Sequence, residues 1–290
     1  MVLFSQLLAN GIVIGATYAL VAIGLTLIFG MMRVVNFAHG EFYMLGGYIA
    51  VTAARSFGLS LFAAIPLAML AVAILGFAFE RLLLRRLRSA DLLSTAILTI
   101  GLSIAVQNLA LQIWGPKPAQ VADPFSGYVV SFGGIEITAL RLFTLAIAVV
   151  IMLTLAIVLK YTKLGRTLRA TFQARESAAL QGIDVDRVFG LVFAIGVGLA
   201  AAAGAMLSAV FVVSTDMGNL ANLKSFAVVI LGGLGNVSGA VVAGFLLGIA
   251  ESLTAGYVST GYKDGISFLI LIVVLLVRPN GLFGREEVEG

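Results

Sequence analysis

The amino-acid sequence predicts an all-α, polytopic membrane protein. Hydrophobic residues make up 61% of its 290 residues and charged residues only 11%, whereas soluble domains average about 45–50% apolar and about 25% charged residues. The apolar residues form runs close to the roughly 20 residues that a membrane-spanning helix needs. Glycine occupies 33 positions, and small residues let helices approach closely in a membrane. We therefore expect nearly the whole chain to lie in lipid.

About eight segments are candidates for membrane-spanning helices, and two of them carry interruptions. The second follows a polar patch at Asn36–Glu41, and the seventh contains the glycine-rich stretch Gly232–Gly239. We expect a broken helix or a re-entrant turn at each, because non-helical backbone at membrane depth is tolerated only where protein or water covers it. The first candidate has no basic segment before it and is expected to be a transmembrane helix, not a cleaved signal peptide. In chain order the candidates are Leu7–Phe29, Phe42–Ala54, Leu59–Phe79, Leu93–Trp114, Leu142–Leu159, Val188–Val213, Phe226–Leu253 and Ile266–Val277.

The basic residues predict which side of the membrane each loop faces. Of the 18 Lys and Arg residues, 12 lie in three segments, and such clusters are typical of cytoplasmic loops. The stretch Gly115–Arg141 is then expected outside, with Trp114 in an aromatic belt at its edge. The C-terminus is expected inside and, counting spans backward, the N-terminus outside. The clusters are Arg81, Arg85, Arg86 and Arg88; Lys160, Lys163, Arg166, Arg169, Arg175 and Arg187; and Arg278 and Arg285.

A weak internal echo raises the hypothesis of a repeat. Phe37-Ala38 is followed by Leu45–Gly47, and Phe226-Ala227 is followed by Leu231–Gly233. The two spacings differ, so inverted repeats of the kind found in transporters are a hypothesis at this point.

Several classes of function are excluded by the residue types that the chain lacks. It contains no cysteine and a single histidine, His39, so disulfides, thiolate metal sites and multi-histidine metal sites are ruled out. We find no catalytic carboxylate pair and no nucleophile with a base. There is no phosphate-binding loop, because Gly233–Gly239 lacks the lysine that such a loop needs. We expect neither an enzyme nor a cofactor or metal, and the net charge of +4 reflects cytoplasmic loops, not nucleic-acid binding.

The polar interval Lys160–Arg187 differs most from a membrane span. Leu164, Leu168 and Phe172 recur at four-residue intervals, which predicts a short amphipathic helix. Gly182 follows and can end the helix in the left-handed conformation.

Two interpretations of this interval are open. It can be a solvated loop that lies on anionic lipid headgroups, or it can dock into a groove on a partner protein. The small residues in Glu176–Ala179 and at Gly182-Ile183 favour docking, because a loop that only solvates itself needs no surface that a partner can approach closely.

At these residues the chain resembles a known family. Gly165–Ala170, followed by Glu176–Ala179 and Gly182-Ile183, looks like the cytoplasmic coupling loop of ABC importer permeases. Asn36-Phe-Ala-His-Gly-Glu41 and its continuation to Tyr48 look like the hallmark of LivH-type permeases for branched-chain amino acids. Two more segments, Phe226–Gly248 and the tail Arg278–Gly284, are similar to the same family, so that the resemblance covers essentially the whole chain.

The resemblance implies a single permease domain over residues 1–290, with a coupling loop at 160–187 that inserts into an ATPase subunit. The implied location is the cytoplasmic (inner) membrane of a prokaryote, as a multi-pass protein. The implied partners are two cytoplasmic ABC ATPases, a second related permease, an extracytoplasmic solute-binding protein, the amino-acid solute and the lipid bilayer. The expected coupling residues are Gly165, Arg166, Arg169, Glu176, Ala178, Ala179, Gly182 and Ile183.

Two polar or glycine-rich segments are candidates for the translocation pathway or its gate. Ionisable residues near hydrocarbon are costly and need partners, so the polar patch either lines the pathway or holds a helix break through hydrogen bonds. The glycine-rich stretch either permits helix crossing or opens backbone groups to a solute. Glu251 either faces the bundle interior or reaches the outer surface. The candidate residues are Asn36, His39, Glu41, Gly232, Gly233, Gly235 and Asn236.

The expected function is ATP-driven, binding-protein-dependent import, most directly of Leu, Ile or Val. Importers of urea or short amides carry similar permeases and are the alternative within this class. The alternative from another class is a secondary transporter that uses an ion gradient through Glu41, His39 or Glu251.

Overall fold

A computed structural model describes residues 2–87 and 92–284, and these residues form a helical bundle with one short hairpin of two strands. Arg88 and Arg285, which belong to two of the basic clusters, lie outside the described residues. The helices are α1 (Val2–Met32), α2 (His39–Phe57), α3 (Leu61–Leu82), α4 (Leu92–Trp114), α5 (Ala139–Tyr161), α6 (Lys163–Gln173), α7 (Arg175–Leu180), α8 (Val185–Leu207), α9 (Met217–Gly232), α10 (Val237–Tyr257) and α11 (Lys263–Val277), with 3₁₀ turns at Leu84–Leu87 and Thr260–Tyr262 and strands β1 (Val129–Phe132) and β2 (Ile135–Thr138).

The prediction of an all-α polytopic protein with about eight spans is confirmed. Within the described ranges, seven helices are long and apolar enough to cross a membrane: α1, α3, α4, α5, α8, α10 and α11, where α3 and α11 include their adjoining 3₁₀ turns. Helix α2 carries His39, Glu41 and Arg55, and α9 has only 16 residues. The predicted span Phe226–Leu253 is in fact two helices, because α9 ends at Gly232 and α10 starts at Val237.

Helix α2 begins beside the middle of α1. Its first residue, His39, donates from Nε2 to the carbonyl oxygen of Val21 over 3.0 Å. Because α1 continues for 11 residues beyond Val21 to Met32, the intervening chain returns about 16 Å along α1 before α2 starts. Arg33, in the left-handed region at φ 54°, makes the reversal. The predicted re-entrant segment is therefore present here.

The sixth predicted span, Val188–Val213, is helical only as far as Leu207. Beyond it, the segment after α4 enters the bundle and supplies backbone partners. Ala119 and Val213 exchange two hydrogen bonds of 2.9 and 2.7 Å, and Val121 donates to the carbonyl oxygen of Ser208 over 2.9 Å. These bonds satisfy the carbonyl oxygen of Ser208 and both backbone groups of Val213, so the chain beyond α8 need not remain helical there.

The bundle contains two similar units that run in opposite directions. In each, a long helix is followed by a break, a shorter helix and another long helix: α1, α2 and α3, then α8, α9 and α10. Helix α1 packs along α10, and α8 packs along α3 in the corresponding way. The first turns of α2 and α9 meet at Gly40 and Gly218, where a Cβ on Gly40 would overlap the carbonyl oxygen of Gly218.

This arrangement supports the hypothesis of an inverted repeat, but not through the residues that suggested it. Phe37-Ala38 precedes α2, whereas Phe226-Ala227 lies inside α9. The two phenylalanine rings instead contact each other, with centroids 5.3 Å apart. The shared sequence pattern therefore does not mark equivalent positions.

The segment between α4 and α5 forms a hairpin at one end of the bundle. Its strands β1 and β2 pair antiparallel through Gly133 and Gly134, both at positive φ, as a type I′ turn requires. The hairpin is tied to the start of α1 by two hydrogen bonds between the Gln6 amide and the backbone of Glu136, of 2.7 and 2.8 Å. Helix α1 thus begins in contact with this loop.

Trp114 lies at the end of α4 and packs against α2. Its ring stacks on Tyr48 with centroids 4.8 Å apart, and its indole N–H donates to the hydroxyl of Thr52 over 2.8 Å. The ring is half-buried between helices. Trp114 therefore joins the end of α4 to α2, and its position in an aromatic belt stays a prediction.

Candidate functional site

The polar patch before and within the first turn of α2 is buried inside the bundle. Asn36, His39 and Glu41 are all almost fully buried. The side-chain oxygen of Asn36 accepts from the backbone N–H of Ala38 over 3.1 Å. One carboxylate oxygen of Glu41 accepts from the hydroxyl of Ser103 on α4 over 3.0 Å. The first bond lies at the start of α2 and the second joins α2 to α4, so both interpretations of the patch stay predictions.

Three polar atoms of the same patch are buried without a hydrogen-bond partner among the described residues: Asn36 Nδ2, His39 Nδ1 and Glu41 Oε2. A buried polar group without a partner costs about 1–3 kcal/mol, so this patch is not optimised for stability alone. None of the three residues lines the large cavity of the bundle.

A cavity of about 500 Å³ lies between α1, α9 and α10. It extends from Arg141 and Lys263, at the end of the bundle that carries the hairpin, to Val21 in the middle of α1. Its size falls within the range of small-molecule sites, which are concave and mostly apolar with a few placed polar groups. Its apolar wall includes Ile14, Leu207, Phe211, Val212, Met217 and Leu220.

The polar wall of the cavity is a buried network around Lys224 of α9. The Lys224 ammonium lies 2.8 Å from a carboxylate oxygen of Glu251 and 2.8 Å from one of Asp264. Tyr18 accepts from Lys224 over 2.6 Å and donates to Glu251 over 2.7 Å, and Ser267 donates to the other oxygen of Glu251. Lys224 is 5% exposed and Glu251 3%. Four helices, α1, α9, α10 and α11, thus meet at one ion pair.

Lys224 does not stand out in the sequence pattern. The predicted span began at Phe226, so this lysine fell just outside it, and Asp264 fell just before the last predicted span. Glu251 was considered without a choice between the interior and the surface; the structure places it in the interior. The rule that an ionisable residue within a membrane helix is a functional candidate applied to Glu251 alone, because Lys224 and Asp264 lay just outside the predicted spans.

The glycine-rich stretch is the turn between α9 and α10. Gly233 and Gly235 have positive φ angles, and the Asn236 side chain caps α10 by accepting from the N–H of Gly239 over 3.0 Å. The Asn236 amide donates to the carbonyl oxygen of Phe283 in the tail over 2.9 Å. Gly232 packs directly on Gly239. The turn lies at the opposite end of the bundle from the cavity mouth.

The predicted amphipathic helix in the basic interval is two helices, α6 and α7. Ala174, with an extended backbone at φ −154°, separates them. Gly182 ends α7 at φ 82°, with bonds from Gly182 N–H to Ala179 and from Ile183 N–H to Ala178, the pattern of a Schellman motif. The predicted left-handed glycine is therefore confirmed.

Two arginines fasten this pair of helices to the bundle. Arg169 donates to the carbonyl oxygens of Leu159 and Lys160 at the end of α5. Arg175 donates to the carbonyl oxygen of Met31 at the end of α1 over 2.7 Å and lies over the ring of Phe189. Arginine at such positions satisfies the free carbonyls of a helix end.

The expected coupling residues divide into buried and exposed groups. Gly165 and Ala178 are buried, and Ile183 is half-buried; a Cβ on Gly165 would overlap the carbonyl oxygen of Leu159. Leu180, which the sequence analysis did not select, is 89% exposed. The exposed residues of the expected set are Arg166, Arg169, Glu176, Ala179 and Gly182.

Comparison with known proteins supports one family. A family model described as "Branched-chain amino acid transport system / permease component" matches residues 7–275. The chain is 38% identical to the high-affinity branched-chain amino acid transport system permease protein LivH of Escherichia coli strain K12, over 99% of this chain and 97% of that protein. It is 36% identical, over the same shares, to BraD of Pseudomonas aeruginosa PAO1, a permease protein of the same description. LivM of Escherichia coli K12 is 25% identical over 91% of this chain and 67% of LivM. No solved structure matches the chain.

Proposed function

Because the chain belongs to the family of branched-chain amino acid transport system permease components, we propose that it imports Leu, Ile and Val as one subunit of an ATP-driven, binding-protein-dependent transporter in a prokaryotic inner membrane. The observation that carries this proposal is the pair α6–α7, an exposed basic surface fastened to the ends of α1 and α5. A partner protein bound to this surface could move the ends of α1 and α5. The chain contains no phosphate-binding loop of its own, so ATP hydrolysis belongs to separate cytoplasmic ATPase subunits.

The docking surface in this proposal consists of the exposed residues of the coupling loop at 160–187. Arg166, Glu176, Ala179 and Gly182 face away from the bundle, with Leu180 among them. The other expected coupling residues contact the bundle and hold α6 and α7 in the orientation that the ATPase engages. These residues are Gly165, Arg169, Ala178 and Ile183. The loop, the glycine turn and the C-terminus then face the cytoplasm.

The bundle contains a contact path from this surface to the α9–α10 turn. Phe172 of α6 and Gly235 of the turn both pack against Gly30 near the end of α1. A shift of α6 and α7 therefore bears on α1 and on the turn together. The proposed moving parts of the pathway are Asn36, His39 and Glu41 at the break before α2, and Gly232, Gly233, Gly235 and Asn236 at the turn.

Two further partners, a second permease subunit and a binding protein, are proposed from the family and from the position of the cavity. A second permease subunit related to LivM would complete the pore, since that protein is similar along most of this chain. An extracytoplasmic binding protein would deliver the amino acid to the cavity mouth beside the hairpin. The whole of 1–290 then serves as a single transmembrane domain.

Amino-acid uptake is expected to require ATP and the partner ATPases. In proteoliposomes that hold the permease pair and the ATPases, leucine uptake should occur only with ATP on the ATPase side and the binding protein on the other side. An ATPase variant without its phosphate-loop lysine provides the control. Uptake driven by an ion gradient without ATP would contradict the proposal and favour a secondary transporter, and uptake of urea in place of leucine would contradict the substrate.

Leu180→Glu is expected to uncouple transport. Leu180 is 89% exposed, so the bundle should fold normally, while a carboxylate placed in an apolar groove of the ATPase should weaken docking by at least about 1.4 kcal/mol, which is about tenfold. Leucine uptake and ATPase stimulation by the loaded binding protein should fall together, at an unchanged amount of permease in the membrane. Ser126→Glu, an exposed change of the same charge in the loop after α4 and outside the docking surface, serves as the matched control. Normal uptake by the Leu180 variant would remove this residue from the docking surface.

A further inference from the structure

The buried ion pair of Lys224 and Glu251 costs a membrane bundle free energy. Charged residues within the bilayer are rare and costly, and a buried ion pair contributes less stability than well-packed apolar residues of the same volume often do. Both residues nevertheless line the cavity, together with Tyr18. Their presence at the wall of a space open to solute suggests a ligand of matching chemistry.

We propose that Lys224 and Glu251 form a transit site for a zwitterionic amino acid with an apolar side chain, which binds between them as it leaves the binding protein. This inference rests on the proposed function and adds the place and the chemistry of contact within the permease. The ammonium group of the solute pairs with Glu251 and its carboxylate pairs with Lys224. A zwitterion that enters an ion pair in this way replaces the lost partner of each side chain, so no charge is left buried alone.

The surrounding contacts allow the pair to open. Glu251 retains Tyr18 and Ser267 as hydrogen-bond donors when the lysine moves away. Lys224 retains Asp264 as a second carboxylate at 2.8 Å, and its flexible four-carbon stem lets the ammonium shift. Ser267 and Asp264 do not line the cavity, so each half of the pair keeps one supporting partner outside it.

The apolar wall fits the remaining part of such a solute. Ile14 and Val21 of α1 and Leu220 of α9 face the same space as the charged pair. A branched aliphatic side chain placed against them would be removed from water, which favours binding in proportion to the apolar surface that is buried. Binding stays weak because it must first open the Lys224–Glu251 contact, which suits a site that releases its solute onward.

The proposed site requires both the ammonium and the carboxylate group of the solute. An aliphatic carboxylic acid without an ammonium group would leave Glu251 unpaired, and an aliphatic amine would leave Lys224 with its second partner only. Leucine should therefore bind where 4-methylpentanoate and isopentylamine do not, although all three have similar apolar parts.

A protection experiment tests this site. The chain contains no cysteine, so Ala221→Cys introduces a single thiol one helical turn from Lys224, at the cavity wall. The complete complex is reconstituted without its binding protein, and the rate of maleimide labelling is read on this chain. Leucine at about ten times its dissociation constant should slow labelling about tenfold, because the free fraction falls as 1/(1 + [L]/Kd). Equal concentrations of 4-methylpentanoate and isopentylamine should leave the rate within about twofold of the unliganded value.

Further measurements test the transit site separately from the proposed function. The same label on Ser126→Cys, in the exposed loop after α4, should not respond to leucine. Protection of the thiol at position 221 should disappear when Lys224→Met or Glu251→Gln is added. Labelling that leucine does not slow, or that the singly charged analogues slow equally, would overturn the transit site. Leucine uptake by the same reconstituted complex with its binding protein and ATP measures the proposed function independently.

Discussion

Gly40→Val is expected to abolish transport and to prevent stable assembly of the bundle. At Gly40 the first turn of α2 crosses the first turn of α9, and any Cβ there would overlap the carbonyl oxygen of Gly218 and crowd Asn222. The obstructing atoms belong largely to backbone, so no side-chain rotation relieves the overlap. We expect a loss of at least about 3 kcal/mol, at the upper end of the cost of overpacking a core. The yield of monodisperse permease in detergent and its thermal midpoint measure this loss.

A matched control for this variant lies in α4. Gly101→Val makes the same chemical change in a membrane helix where a Cβ meets nothing within 4 Å, so stability and uptake should stay near the parent values. Gly218→Val should reproduce the defect from the other side of the crossing, because its Cβ would press on Glu41 and on the carbonyl oxygen of Gly40. A well-folded, active Gly40 variant would mean that α2 and α9 do not meet in this way.

Lys224→Met is expected to destabilise the protein more than Glu251→Gln. Removing the lysine leaves the carboxylates of Glu251 and Asp264 without their shared cation, whereas removing the Glu251 charge leaves the lysine paired with Asp264. Breaking a buried pair by removing one partner costs about 3–5 kcal/mol, and we place the lysine variant in this range and the glutamine variant below it. The thermal midpoint of the purified complex gives the order.

The combination of the two changes sharpens this expectation. The double variant Lys224→Met with Glu251→Gln should be more stable than Lys224→Met alone, since it no longer buries an unpaired Glu251 charge. Lys117→Met, which removes an exposed lysine from the loop after α4, should leave the midpoint unchanged. If the lysine and glutamine variants melted alike and the double variant were the least stable, the network would not be an ion pair in the native bundle.

The membrane fold could be predicted from sequence because the hydrophobic runs have the length that the bilayer sets. Two of its features could not. The Phe226–Leu253 run contains a turn at Gly233 and Gly235 whose location at a helix end depends on packing against Gly30 and Phe283. The end of α8 at Leu207 depends on hydrogen bonds from Ala119 and Val121, nearly 90 residues earlier in the chain. Such partners lie beyond the reach of a local pattern.

The candidate site shows the same division. The interval of α6 and α7 could be recognised from its charge and small residues, and its terminating Gly182 from local backbone preference; its coupling role stays a prediction. The break at Ala174 carries no comparable signal, since alanine favours helix, and it arises where Arg175 reaches the end of α1. Lys224, Glu251 and Asp264 lie on three different helices, so their meeting is a property of the assembled bundle.

Helix α1 runs for 31 residues without an interruption, a length of about 46 Å at 1.5 Å per residue. Its first turns hold the hairpin through Gln6, its middle carries Tyr18 of the charged network, and its last turn receives Arg175. A single long helix thus contacts the hairpin, the cavity wall and the α6–α7 pair. In the proposed transport mechanism, communication between the two ends of the bundle needs no chain of side-chain relays, because a tilt of a few degrees about the middle of such a helix moves both ends at once, in opposite senses.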